Sequence, residues 1–219
     1  MEQEITAIKV QKHNQQRVNI YLDGEFAFGL SRFVAAWLTP GRKLTKADID
    51  RLLQEDTYEV AFQKALGFIS HRPRSIDETR RRLHEKGFNE MVVETTLEKL
   101  IEKGWLDDLN FARTWIENRN TFRPRSKQLL TYELRLKGIA DNTINQALED
   151  CAGDEKDMAY KAGFKKAQQC RSETRPNFTR KVGSFLSRRG FAYDIAKLAV
   201  DQLWMDVTTQ EPGRFDETE

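Results

Sequence analysis

Apolar positions follow two rhythms along this chain, and the change between them marks a change of architecture. Over the first 40 residues Ile5, Ile8, Val10, Val18, Ile20 and Leu22 sit in strand-like stretches, where alternation puts every second side chain on one face. Asp23-Gly24 stands between these and Glu25-Phe26-Ala27-Phe28, and Asp-Gly suits a two-residue hairpin turn that needs positive φ at both positions. The spacing predicts a small antiparallel sheet closed by Thr39-Pro40-Gly41. From Thr45 onward the apolar residues recur every three or four positions instead. Thr45 reads as the N-cap of a helix over about Lys46–Gln54 that buries Ile49, Leu52 and Leu53.

Beyond residue 60 the helical rhythm repeats. Pro73, Pro124 and Pro176 lie 51 and 52 residues apart, and so do Leu83, Leu134 and Leu186. Gly87, Gly138 and Gly190 keep the same intervals, each preceded by Lys or Arg and followed by Phe88, Ile139 or Phe191, and Leu97, Leu148 and Val200 continue the register. Five columns holding two constant intervals identify an internal repeat. Each copy reads as three helices. In the first, Ala61, Phe62, Ala65, Leu66 and Ile69 form one helix, which Arg72-Pro73-Arg74 breaks. Ser75 with Glu78 makes a capping box for a second helix that stops at Gly87. Asn89 caps a third, with Val93, Leu97, Leu100, Ile101 and Gly104 on one face. Asp107 or Asp108 starts the next copy, with Phe111, Ala112, Trp115 and Ile116; Pro124 breaks it, Gly138 caps it, and Asp141 is its next N-cap. The last copy uses Pro176, then Val182, Phe185 and Leu186, then Gly190, then Ile195, Leu198, Ala199 and Leu203.

The predicted fold is mainly α: three tandem three-helix repeats forming an elongated, curved array, with a small N-terminal antiparallel β segment. The expected divisions are 1–45 for the sheet, 46–60 for a connecting helix, 61–108, 109–155 and 156–206 for the repeats, and 207–219 for an acidic tail. A unit of about 50 residues buries too little surface to stand comfortably alone, and stacked neighbours supply the rest.

Composition narrows the function. The chain has 219 residues, 39% hydrophobic and 32% charged, lean for a core and rich for a surface. The longest apolar run, Phe33 to Leu38, is far too short to span a bilayer, and Met1-Glu2-Gln3-Glu4 lacks the basic start of a signal peptide. A cytoplasmic protein without a membrane segment is expected. Cys151 and Cys170 are too few for a disulfide framework and read as small buried or half-buried side chains; His13, His71 and His84 share no ligand spacing. No metal or cofactor site is predicted. There is no glycine-rich phosphate loop, no GxSxG and no HExxH, so no catalytic residue is assigned. The adjacent carboxylates Asp107 and Asp108 are placed where a helix start favours negative charge, not in a cleft.

The stretch Gly104-Trp105-Leu106-Asp107-Asp108-Leu109-Asn110-Phe111-Ala112, with the Arg-Pro-Arg-Ser and Lys-Gly-Phe punctuation and the threefold layout, resembles the RecX family of regulators of the RecA recombinase. The likeness covers roughly residues 1 to 206 and is loosest in the third repeat, where Asn177-Phe178 stands in place of Arg125-Ser126. It implies a non-enzymatic protein that binds along the RecA–DNA filament and inhibits its ATPase and strand exchange, meeting RecA and, within the filament, the DNA backbone. Nothing indicates an obligate dimer, so a monomer is expected.

Net charge is only +2, but it is unevenly spread. His71–Arg82, Arg119–Lys127 and Arg171–Arg189 are strongly basic, whereas Asp48–Glu59, Asp141–Asp157 and Asp201–Glu219 are acidic. The basic residues recur at equivalent places of each repeat. The candidate partner-binding residues are Arg72, Arg74, Arg81 and Arg82 in the first, Arg123, Arg125, Lys127 and Arg135 in the second, and Lys181, Arg188 and Arg189 in the third. Stacked with constant rotation, they would line one continuous surface whose forked donors suit phosphates and carboxylates. The alternative is a helix-turn-helix transcription regulator, which requires exposed Arg, Asn, Gln or Ser at the start of a recognition helix. The third helices instead begin Asn89-Glu90-Met91-Val92 and Asp141-Asn142-Thr143-Ile144, and acid there repels phosphate.

Overall fold

A computed structural model describes residues 2–209. These residues form four strands and nine α-helices, divided into two compact units, Met1–Leu106 and Asp107–Glu219.

The first unit begins with an antiparallel sheet of β1 (Gln3–Gln11), β2 (Asn14–Leu22), β3 (Glu25–Ser31) and β4 (Lys43–Leu44), in the order β3-β2-β1-β4. The hairpin turn falls at Asp23 and Gly24, with φ of 50° and 94°. Alternation puts Ile5, Val18, Ile20, Leu22 and Leu30 on one buried face, covered by Leu38, Leu44 and Leu52. The two-residue edge strand β4 was not expected from the sequence, because Lys43-Leu44 is too short to show a period.

Thr45 caps the following helix as expected, its hydroxyl and the Asp48 carboxylate forming a capping box. That helix, α1 (Lys46–Ile69), does not stop near Gln54. The linking helix expected over 46–60 and the first repeat helix expected from Ala61 are one continuous element, since no Gly or Pro lies between Lys46 and Leu66. Asp56, buried midway along it, accepts hydrogen bonds from the Ser31 backbone N–H at 2.5 Å and from Arg17 at 2.8 Å. Together these tie β2 and β3 to α1.

Helices α2 (Ile76–Glu85) and α3 (Glu90–Glu102) complete the first repeat around Phe62, Ala65, Leu83, Val93, Leu97 and Leu100. The Ser75–Glu78 capping box, the Asn89 cap and the left-handed Gly87 are all formed. Ile101, expected on the core face of α3, is 44% exposed.

The second unit holds two further triads. Helices α4 (Asp108–Phe122), α5 (Lys127–Leu136) and α6 (Asp141–Cys151) enclose Phe111, Ile116, Leu130, Leu134, Ile144 and Ala147. Helices α7 (Glu155–Gln169), α8 (Arg175–Arg188) and α9 (Tyr193–Thr209) enclose Phe178, Val182, Leu186, Val200 and Leu203. Asp107 caps α4 through two backbone N–H groups. Three local expectations are corrected. Asp141 is not the N-cap of α6; Ala140 occupies that place, and Asp141, one residue inside, turns to Arg135. Pro176 does not break a helix but sits in the first turn of α8, where its missing N–H costs nothing. The acidic tail expected from 207 is still helix as far as Thr209, with Val207 buried, because its apolar side chain continues the α9 face; 210–219 lie outside the described residues.

Candidate partner-binding surface

In the first unit the basic residues gather where α1 hands over to α2. Arg72 reaches Glu78 at 3.3 Å. Arg74, half-buried, lies over the Phe68 ring at 4.0 Å, and its Nε finds no acceptor among the described residues. Burial, and then the neighbouring Arg72 and Arg82, push the Arg74 guanidinium below its usual basicity, against the pull of Glu78. Arg82 pairs with Glu85 at 2.9 Å and Arg81 with Asp77 at 2.8 Å, both within α2. Arg80 crosses to Glu94 of α3 at 2.7 Å.

The second unit assembles a denser group. Helix α4 ends before Pro124, so Arg119, Arg123 and Arg125 emerge close to the start of α5. Trp115 and Arg119, four apart on α4, share a face, with the guanidinium 4.5 Å above the indole. Both donate to one carboxylate oxygen of Glu133 on α5, at 2.8 and 2.9 Å, and Arg125 pairs with the other oxygen. The third repeat enters through the end of α8. Arg189, over Phe185 at 4.9 Å, donates to the Pro124 carbonyl at 3.3 Å, while its own carbonyl accepts from the Ser126 N–H at 3.1 Å. Burial and then Arg119, Arg189 and Arg123 depress the basicity of Arg125; burial and then Arg123 and Arg119 do the same to Arg189. Four guanidinium groups therefore act on one another, and two of them, Arg119 and Arg125, share the buried Glu133 carboxylate.

The remaining candidates stand apart from this group. Exposed Lys127 opens α5, and its N–H donates to Glu155 at 3.2 Å. Arg135 is fork-paired to Asp141 at 2.7 and 3.1 Å, and Lys181 pairs with Glu173. Arg188, exposed, lines a cleft of about 620 Å³ between α8 and α9 with Arg180, Lys197 and Asp201. The structure thus brings Arg72, Arg74 and Arg82 together in one unit and Arg123, Arg125 and Arg189 in the other. It occupies Arg81, Arg135 and Lys181 with carboxylates of their own neighbourhood.

Sequence reasoning left out Arg119, Trp115 and Glu133. The signal for Glu133 was present: Leu130, Glu133 and Leu134 occupy i, i+3 and i+4 of α5, so a carboxylate sits on the core stripe and requires a partner. Trp115 is half-buried and works as a platform and donor rather than as plain core; Trp105 is 50% exposed against Phe62.

Comparison with known proteins now gives these residues a context. Family models match as the regulatory protein RecX N-terminal domain over residues 3–45, the first RecX three-helix domain over 61–100 and the second over 107–148. "Regulatory protein RecX" of Bacillus licheniformis is 31% identical over 90% of this chain and 76% of its own length. The chain belongs to the RecX family. "Regulatory protein RecX" of Leuconostoc mesenteroides is 30% identical over 91% of the chain and 75% of its own length. A crystal structure of regulatory protein RecX covers 91% of the chain and 99% of its own with a TM-score of 0.71 at 26% identity. The RecX of Lactobacillus salivarius, at 22% identity, shares the fold with a TM-score of 0.61 over 69% of this chain. The RecX relatives are named as regulatory proteins. Among the described residues no helix is long and apolar enough to cross a membrane.

Proposed function

We propose that this chain is a cytoplasmic, non-enzymatic regulator that binds the RecA–DNA filament as a monomer and inhibits its ATPase and strand exchange. The observation that supports this best is the excess of guanidinium groups over carboxylates where the second repeat meets the third, in a chain of a regulatory family. Such a group favours a polyanionic partner, and forked donors suit both the phosphates of DNA and the carboxylates of a protein surface. Arg72, Arg74 and Arg82 offer a second, smaller excess in the first unit. Inhibition requires no chemistry by this chain: preferential binding to one filament geometry shifts the filament toward that geometry and away from turnover.

The helix-turn-helix alternative is disfavoured by Glu90 and Asp141 in the first turns of α3 and α6, where acid would face phosphate. The test is the DNA-dependent ATPase of the cognate recombinase at rising amounts of this protein and two salt concentrations. Suppression well below one copy per recombinase protomer, weaker at high salt, is the expected result. No suppression at either salt, together with tight sequence-specific binding to duplex DNA, would overturn it.

A further inference from the structure

The arginine group of the second unit has more charge than its own structure can use. Arg119, Arg123, Arg125 and Arg189 act on one another, and the carboxylate among them is Glu133. Glu155, at the start of α7, accepts from the Lys127 N–H. Among the described residues, four cations against one anion leave three positive charges unmatched, and of the four only Arg123 is exposed. The side chains of Arg119 and Arg125 are 23% and 26% exposed, and Arg125 Nε is buried with no protein acceptor among the described residues. Repulsion between half-desolvated charges is several-fold stronger than in water. The arrangement is also held rather than loose. Arg119 and Arg189 rest on aromatic faces, and the Arg189 main chain and guanidinium are both bonded to the Pro124–Ser126 segment.

We propose that this joint is a binding site for one phosphate-type oxyanion, held by Arg123, Arg125 and Arg189 with Arg119 behind them, and that occupancy fastens the third repeat to the second. A tetrahedral anion carrying two charges offsets most of the excess, and its oxygens accept from several guanidinium forks at once, which a chloride ion cannot do. Arg125 Nε is the donor such an anion would satisfy. Because Arg123 and Arg125 come from one repeat and Arg189 from the next, the ligand bridges them, and binding is linked to the stability of the unit. The site requires no filament to form. The phosphate could be a free monoester or a phosphodiester of a nucleic-acid strand, two sources of the same chemistry.

The test uses the full-length chain. Inorganic phosphate is titrated by calorimetry and by thermal melting against chloride at matched ionic strength. The expected result is saturable one-to-one binding and a Tm that rises with phosphate but not with chloride. Arg125→Gln and Arg189→Gln each weaken binding at least roughly tenfold, the equivalent of 1.4 kcal/mol, whereas Arg81→Gln and Arg135→Gln, which alter paired arginines elsewhere, leave it unchanged. An oligothymidylate lacking terminal phosphates is then added: displacement of phosphate assigns the site to a phosphodiester, and retention of phosphate assigns it to a monoester. Equal melting in phosphate and chloride for the wild-type protein, which needs no variant to fold, would overturn the site. So would phosphate binding that survives both joint substitutions. Either failure leaves ATPase suppression as a separate question, answered by its own assay.

Discussion

In the first repeat Arg72, Arg81 and Arg82 each reach a different carboxylate of α2, namely Glu78, Asp77 and Glu85. At the joint of the second and third repeats, Arg119 and Arg125 share the single carboxylate of Glu133, and Arg123 and Arg189 press on them. The two groups descend from the same columns, since Arg72 and Arg74 align with Arg123 and Arg125 at an interval of 51. Several substitutions and one neighbour separate them: the pairing carboxylates Asp77, Glu78 and Glu85 give way to Gln128, Leu129 and Leu136. Phe68 becomes Arg119, Arg82 becomes Glu133, and in the second unit the end of α8 brings Arg189 into contact. A basic motif copied along a repeat protein thus acquires its electrostatic character from what packs beside it. The count of arginines is a poor guide; the ratio of cations to carboxylates in each half-buried pocket is a better one.

The widest gap between the two groups is expected at their carboxylates. Glu133→Gln leaves Arg119 and Arg125 uncompensated in a buried setting and should cost about 3–5 kcal/mol of unfolding free energy in urea denaturation. Glu78→Gln keeps an oxygen for the capping box, loses the charged pair with half-exposed Arg72, and should cost about 0.5 kcal/mol. Similar losses at the two positions would erase the distinction. Next come the matched glycines. Gly87 and Gly190 share a column and a φ of 84° and 85°, but a Cβ on Gly87 meets nothing within 4 Å, whereas on Gly190 it would stand 2.5 Å from Ser126 Oγ and 2.8 Å from Leu129 Cβ. Gly87→Ala should cost about 1–2 kcal/mol, for backbone conformation alone. Gly190→Ala should cost about 2–4 kcal/mol because the joint must also open. The difference between these two measures the contact itself.

A smaller effect is expected from Trp115→Phe, which keeps an aromatic surface for Arg119 and deletes the indole N–H donated to Glu133. About 1–2 kcal/mol should be lost, and the loss should shrink in a Glu133→Gln background, as coupled neighbours require. The smallest concerns acid. Hydrogen bonding from Arg80 holds the Glu94 carboxyl below its ordinary value. A depressed folded pKa means the contribution is present above the unfolded pKa of Glu94 and fades as pH falls through the folded one. With Glu94 40% exposed, screening limits it to roughly 0.5 kcal/mol, read as a slightly shallower acid limb of stability in Glu94→Gln.

Much of the fold was legible in the chain itself. The Asp23-Gly24 turn, the Ser75–Glu78 box and the glycines at 87, 138 and 190 are local devices, and each formed where its own chemistry required. What escaped depended on distant residues. The edge strand at Lys43-Leu44 exists because β1 offers it a partner. Asp141 turned to Arg135 instead of capping its helix, a competition no spacing reveals. The candidate surface was half legible: the arginine columns were visible, but their partition between paired and crowded was not, because Arg189 and Pro124 are 65 residues apart.

The 24 residues of α1 span about 36 Å, and they serve two masters. Its first half is roofed by strands that hold it through Asp56; its second half is a wall of the first triad. The sheet and the first triad are therefore joined by one unbroken helix and not by a loop.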